Sequence, residues 1–249
     1  MKTGILAPMP EEIEMILEHM HVDRIESSGN RSFYIGKING QECVVSLSRI
    51  GKVASSVTAA ILIEKFNVDR IIVTGVAGGI HESIQAGDIV IATQCIQHDL
   101  DCSPLFPPFE APLLGKSAFE CEETMVQQAF QVCEHLVEQE LHEFITDEHL
   151  QELNITQPKV HQGLLVSGDQ FIGTEAQLKV IQTKLPEALF VEMEGAAVGQ
   201  ICYEYNIPFV VIRSISDKAN AVAHIDFNKY INDLAKHYTW RIINKLMAS

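Results

Sequence analysis

The segment LFVEMEGAAVGQ, residues 189–200, ends an apolar run with Glu192 and Glu194 around Met193, just ahead of small residues that open a helix. Two carboxylates at the end of a buried strand are costly unless ion partners or a ligand require them. On an extended chain Glu192 and Glu194 share a face. If the chain turns at Met193 they do not, and Glu192 then has a structural role. A second apolar run, FVVIRSISD, carries Arg213 and closes on Ser216 and Asp217. An acid there either caps a helix or, in an enclosed site that raises its pKa, donates a proton to a bound heterocycle. Glu12 follows Pro10 in APMPEEIE, in what reads as the first turn of a helix. Carboxylates favour that end of the macrodipole. The alternative is a base that orients and deprotonates water, with apolar surroundings opposing the effect of the helix terminus. TGVAGGI, with Gly78 and Gly79, lets backbone approach a ligand closely, but it matches neither a Walker loop nor a GxGxxG turn.

These residues need elements to hold them. TGILAP reads as an interior strand, and EEIEMILEHM as a helix with apolar residues at helical spacing. FYIGKI and ECVVSLS read as strands joined by a turn at Asn39-Gly40. GKVASSVTAAILIEKF is a helix of small residues. RIIVTGVAGGI is a strand running into a glycine loop, and GDIVIATQCI is the next strand. Residues 98–118 contain Pro104, Pro107, Pro108 and Pro112 and read as a long loop; residues 119–157 turn helical and acidic. VHQGLLVSGDQFI returns to strand and loop. Helix EAQLKVIQTKL, strand ALFVEME, helix GAAVGQICYEY, strand PFVVIRSIS and a final helix from Asp226 follow. Strands alternating with helices, with no Gly/Ser linker, imply one α/β domain around a mixed sheet. Ligands in such folds sit beyond strand ends, where the acids above fall.

The 249 residues carry a formal net charge of −15, which argues against nucleic acid or an anionic membrane as partner. No run approaches the length of a spanning helix, and the N-terminal apolar stretch stops at prolines and acids, unlike a signal peptide. Cys43, Cys95, Cys102, Cys121, Cys133 and Cys202 form no CxxC pair and read as reduced thiols of a cytoplasmic protein. The histidines form no metal-spaced set, so no metal is implied.

GILAPMPEEIE, SRIGKVAS, TGVAGG, GLLVSGDQFI, VEMEGAAV and FVVIRSISD occur in this order. Over nearly its whole length the chain thereby resembles the 5′-methylthioadenosine/S-adenosylhomocysteine nucleosidases of the nucleoside phosphorylase-like superfamily. The resemblance implies a single nucleoside phosphorylase-like domain over residues 1–249, with a mixed central β-sheet flanked by helices and an extended helical region at about 119–157. It also implies a homodimer without a cofactor that hydrolyses the glycosidic bond of 5′-thio-substituted adenosines. By position, it gives Glu12 the activation of water and Asp217 the protonation of adenine N7, with Ser216 holding that acid. Phe171 would stack on the base, and the backbone of Ile172 would read its edge. Glu194 would grip the ribose hydroxyls, Met193 would pack on the sugar, and Arg213 would lie near the water. Met9, Ile50 and Phe227 would line the apolar 5′ side. Adenine is a poor leaving group, so the reaction passes through a ribosyl cation-like state, which negative charge near the sugar stabilises.

Glu11 and Glu12 would repel a phosphate dianion, which favours hydrolysis over phosphorolysis; a gathering of Arg49, Lys52 and Arg213 would argue the reverse. The chain departs from the family pattern at Val76, where Ser is common, and at Arg49, where Gly is usual. The second change sits beside the 5′ pocket. In the proline-rich loop, Phe106 and Pro112 are candidates to cover a partner's 5′ pocket. Rival readings are a hydrolase of another 6-amino purine nucleoside such as aminodeoxyfutalosine, a phosphorylase, and a non-catalytic nucleoside-binding protein.

Overall fold

Apolar runs with few charges form the buried centre of one sheet. The computed structural model describes residues 1–217 and 229–248. Strand β1 (Thr3–Ala7) is buried throughout and lies parallel to both β4 (Gln41–Leu47) and β5 (Arg70–Val73). Strand β11 (Phe209–Asp217) is buried along all its length and lies beside β5. Burial on both faces explains why these strands read as continuous apolar runs rather than alternating ones.

The eleven strands follow the order β2-β3-β4-β1-β5-β11-β6-β10-β9-β7-β8, with parallel and antiparallel pairs. The remaining members are β2 (His21–Ser28), β3 (Arg31–Ile38), β6 (Val76–Gly79), β7 (Ile89–Gln97), β8 (Ala118–Glu120), β9 (Val160–Ser167) and β10 (Ala188–Glu192). β7 also pairs antiparallel with β11, so β11, β6, β10, β9 and β7 close into a ring. The mixed α/β architecture is the expected one.

Helices cover the sheet. α2 (Lys52–Glu64) packs on α6 (Gly195–Tyr205), and α1 (Pro10–His19) packs on α7 (Lys236–Leu246), which a π-helical turn at Ile231–Ala235 precedes. α5 (Glu175–Lys184) precedes β10. Among the described residues no helix is long and apolar enough to cross a membrane.

Three local readings change. TGVAGG is no loop: Gly75 turns the chain at φ +139°, and Val76–Gly79 forms β6 between β11 and β10. HVDRIESS, in which no strand was expected, forms edge strand β2, mostly exposed and polar. Its hairpin to β3 turns through Gly29 and Asn30, both at positive φ, as does the expected turn at Asn39-Gly40. In the acidic stretch 119–157 the first helical segment ends as α3 (Glu123–His135) and continues as a π turn and a 3-10 turn, ahead of the separate helix α4 (Asp147–Glu152).

Candidate active site

The ends of β1, β6, β10 and β11 open on a common cleft of about 600 Å³, its mouth included. Met9, Glu12, Ile50, Gly78, Phe171, Ile172, Glu192, Met193, Glu194, Ser216 and Asp217 all line it, together with Pro8, Val76, Ala77, Gln170 and Val191. Two expected residues are not among these, for different reasons. Phe227 lies outside the described residues. Arg213, expected near the water, is wholly buried behind the acids and does not border the cleft.

Glu12 is fixed by the start of α1. Its Oε2 accepts a hydrogen bond from the Met9 backbone N–H at 2.8 Å, the reach-back half of a capping box, and its Oε1 accepts one from Val76 at 3.0 Å. Burial outweighs these bonds and the nearby Arg213 charge, and pushes its pKa up to about 7. A carboxylate with that value is half ionised at neutral pH, as a general base requires. The expected contest between helix terminus and apolar surroundings is decided by burial.

The chain does turn at Met193. β10 ends at Glu192 and α6 begins at Gly195. Glu192 therefore folds back over the helix start, accepting from the N–H of Glu194 at 3.1 Å and of Gly195 at 2.9 Å. It also accepts from the Ser167 hydroxyl and the Arg213 guanidinium. Ser167 in turn accepts from the Ala196 N–H at 2.8 Å. The first amides of α6, which have no intrahelical partner, are thus satisfied by one acid and one hydroxyl.

Glu194 points elsewhere. Its Oε1 accepts from the Gly51 N–H at 2.9 Å, and its Oε2 lies 3.2 Å from Arg213 Nη2. Burial, reinforced by the adjacent Glu192 charge and opposed by Arg213, pushes its pKa up to about 8. Arg213 also donates to the Thr74 carbonyl at 2.8 Å, and its Nε has no hydrogen-bond partner among the described residues. Its pKa is raised, because three carboxylates outweigh the effect of burial. Among the described residues a single guanidinium faces Glu12, Glu192 and Glu194, and too little positive charge beside three acids favours retaining a proton on one of them.

Gly75 is required by this arrangement. A Cβ there would collide with Arg213 Nη1 and approach Glu12 Oε1 at 2.6 Å, on a backbone that L side chains rarely adopt. Across the cleft, the pairing of β11 with β6 shifts register between Ile215 and Asp217. Such a bulge re-aims side chains at a strand end. Asp217 is buried, and its Oδ2 accepts from Ser216 Oγ at 2.6 Å.

The loop before α2 closes one side. The Lys52 N–H donates to Asp169 Oδ1 at 2.8 Å, the Asp169 N–H to Asp99 Oδ2 at 2.8 Å, and Lys52 Nζ to Asp99 Oδ1 at 2.6 Å. These bonds tie the segment bearing Phe171 and Ile172 to the one bearing Ile50 and Gly51. Phe171 is 51% exposed and Ile50 55% exposed, whereas Ile172 is buried.

Thr74, Gly75, Gly51, Ser167 and Gln170 were not singled out from sequence. The first three act through backbone atoms or through a missing side chain, so their types carry no signal; the serine and glutamine lie inside the motif GLLVSGDQFI.

Residues 2–245 match the family model described as Phosphorylase superfamily. A 5′-methylthioadenosine/S-adenosylhomocysteine nucleosidase of Shewanella loihica is 33% identical over 246 residues, 99% of each chain. The solved structure of the Neisseria meningitidis nucleosidase of that name, in complex with methylthio-immucillin-A, superposes with a TM-score of 0.87 at 30% identity, covering 99% of this chain and 98% of that one. A futalosine hydrolase structure from Helicobacter pylori gives 0.81 at 30% identity, covering 98% and 97%. With its glycine-turned β6, its bulged β11 and its carboxylate-lined cleft, this chain belongs to the phosphorylase superfamily and, within it, to the 5′-methylthioadenosine/S-adenosylhomocysteine nucleosidase family.

Proposed function

We propose that this protein is a purine nucleosidase that hydrolyses the N-glycosidic bond of 5′-methylthioadenosine and S-adenosylhomocysteine, releasing adenine and the 5′-thioribose. The opening of Glu12, Glu194 and Asp217 into one cleft carries this reading. Glu12, poised near neutrality, takes the proton from the attacking water. Asp217, steadied by Ser216, delivers a proton to N7 and so makes adenine a better leaving group. Glu194 accepts the ribose 2′- and 3′-hydroxyls and gains as positive charge develops on the sugar, an interaction stronger in the transition state than in the ground state. Phe171 stacks on the base, Ile172 reads its edge through the backbone, and Met193 packs on the sugar. Arg213 and Glu192 position these groups from behind.

Water rather than phosphate is the nucleophile in this reading. The three cations that could hold a phosphate are engaged apart: Lys52 with Asp99, Arg213 with Glu192 and Glu194, and Arg49 with the Asn30 carbonyl. The likeness to a futalosine hydrolase favours a second reading, in which aminodeoxyfutalosine is the nucleoside cleaved. A homodimer is also proposed. Ile50, Val53 and Val57 project as exposed apolar residues at and near the start of α2, and Leu105 and Leu113 are exposed in the proline-rich loop. The absence of paired cysteines fits a cytoplasmic location.

Adenine release from methylthioadenosine in phosphate-free buffer tests the reaction. Release without phosphate is expected. A strict phosphate requirement would replace hydrolysis with phosphorolysis, and turnover of aminodeoxyfutalosine alone would select the second reading.

A further inference from the structure

A buried hydroxyl lies near Asp217 but outside the lining of the cleft. Tyr230 stands immediately before the π-helical turn Ile231–Ala235, which packs on β11, the strand that ends in Asp217. Its side chain is 1% exposed, and its hydroxyl has no hydrogen-bond partner among the described residues. An unpaired buried hydroxyl destabilises a fold, and phenylalanine would fill the same space without that cost.

The turn before β7 sets the surroundings of this hydroxyl. The Gly87 N–H donates to the Ile215 carbonyl at 2.8 Å, and the Ile215 N–H donates to the Asp88 carbonyl at 2.8 Å. Tyr238, two turns further along the helix, donates to the Gly87 carbonyl at 3.3 Å. The helix is thus laid across this turn and the end of β11. The Tyr230 hydroxyl comes beside Ser214 and into the field of two buried carboxylates, Asp88 and Asp217, with Tyr238 as its other titratable neighbour. Asp88 has its own donors: its Oδ1 accepts from the Lys159 N–H at 2.8 Å, and its Oδ2 accepts from the Gln85 N–H at 2.9 Å and lies 3.0 Å from His161 Nε2. Asp217 differs, because in the proposed reaction it begins as an acid and ends as a buried carboxylate. Burial raises the Tyr230 pKa; Ser214 opposes this and the two acids reinforce it, so the hydroxyl keeps its proton and remains a donor.

We propose that Tyr230 is a positioning residue for the proton donor: its O–H dipole stabilises the carboxylate that Asp217 becomes as it protonates the leaving base. The inference rests on the nucleosidase reading and on the role of Asp217 within it. The proton passes from Asp217 to N7, the electrons of the glycosidic bond leave with the base, and the tyrosine keeps its own proton throughout. A dipole already held in a water-poor place needs little reorganisation when the charge appears. The hydroxyl, unpaired in the resting protein, gains its interaction only as that charge forms, so it favours the transition state over the ground state.

Tyr230→Phe removes one oxygen and keeps the ring. With methylthioadenosine as substrate, kcat should fall about tenfold while KM stays within about twofold, because Tyr230 does not line the cleft. A donor deprived of this help is a weaker acid and holds its proton to higher pH. The alkaline limb of the kcat profile should therefore move up by about half a pH unit or more. The melting temperature should hold or rise, since no hydrogen bond is lost. An unchanged kcat, or a lower kcat with an unmoved limb, would overturn this proposal alone. A melting temperature lower by more than about 5 °C would also overturn it, by making the hydroxyl structural. No adenine from methylthioadenosine with the wild-type protein would overturn the nucleosidase reading, and the proposal with it.

Discussion

Two acid-rich regions of this molecule contain the same residue types and behave in opposite ways. At the strand ends, Glu12 and Glu194 are buried, and their pKa values rise to about 7 and about 8. Along the helical stretch after β8, Glu140 meets Lys245 at 2.6 Å and Arg241 at 3.8 Å, and these partners hold its carboxyl below the usual range. Glu152 is lowered likewise by Lys229. Both regions place cations next to acids. The difference lies in how much water each acid keeps and in how many acids share one cation. Burial with a shared guanidinium makes proton carriers, whereas exposure with a partner to each acid makes a solvated surface.

The sharpest way to break this comparison is to neutralise the buried side. Glu12→Gln and Asp217→Asn should each cut kcat by about 10³, within the usual range for loss of a general base or acid, as measured by adenine release. A variant at either position with nearly full turnover would place the proton chemistry elsewhere. Arg213→Met comes next. It leaves Glu192 and Glu194 buried without their cation and should cost about 3–5 kcal/mol in denaturant unfolding. That deficit should narrow in acid, as the carboxylates become neutral.

A third effect is smaller and carries a sign. The folded-state pKa values of Glu12 and Glu194 lie above the ordinary 4.5. The native state therefore binds more protons than the unfolded state between about pH 4.5 and 8. Stability from these groups is present in full below pH 4.5 and is lost as pH rises through 7 and 8. The melting temperature should fall from pH 5 to pH 8, and Glu194→Gln should flatten that slope. The acids of the helical stretch have the opposite sign, losing their contribution as pH falls through their lowered values. The smallest expected effect is that of Glu140→Gln: less than about 1 kcal/mol, with unchanged turnover. A larger loss of turnover would tie this region to the site.

Legibility in the sequence followed the same division. β1, β4, β10 and β11 could be read because strands buried on both faces leave unbroken apolar runs. β2 could not, because an edge strand with exposed polar residues has no such pattern. β6 read as a loop because glycine carries no hydrophobic signal, even where it pairs in a sheet. Charge type and position drew attention to Glu192, Glu194 and Asp217 and offered Asp217 as a proton donor, but the ribose role of Glu194 and the N7 target of Asp217 came from resemblance to a family. The separation of Glu192 from Glu194 depended on a turn at Met193, which hydropathy does not encode. The backbone donors at Gly51 and Val76, which fix Glu194 and Glu12, have no signature in residue type at all.

β11 joins β5, β6 and β7 and delivers both Arg213 and Asp217, yet it lies near the end of the chain. Its partners are more than a hundred residues earlier in the sequence, and pairings over such distances close slowly. During synthesis, Glu12, Glu192 and Glu194 emerge before the guanidinium that pairs with two of them. A nascent chain cannot bury those acids cheaply, so the ring of strands should stay open until residue 213 has left the ribosome. The order of residues along the chain thus delays assembly of the carboxylate-lined cleft until Arg213 has been made.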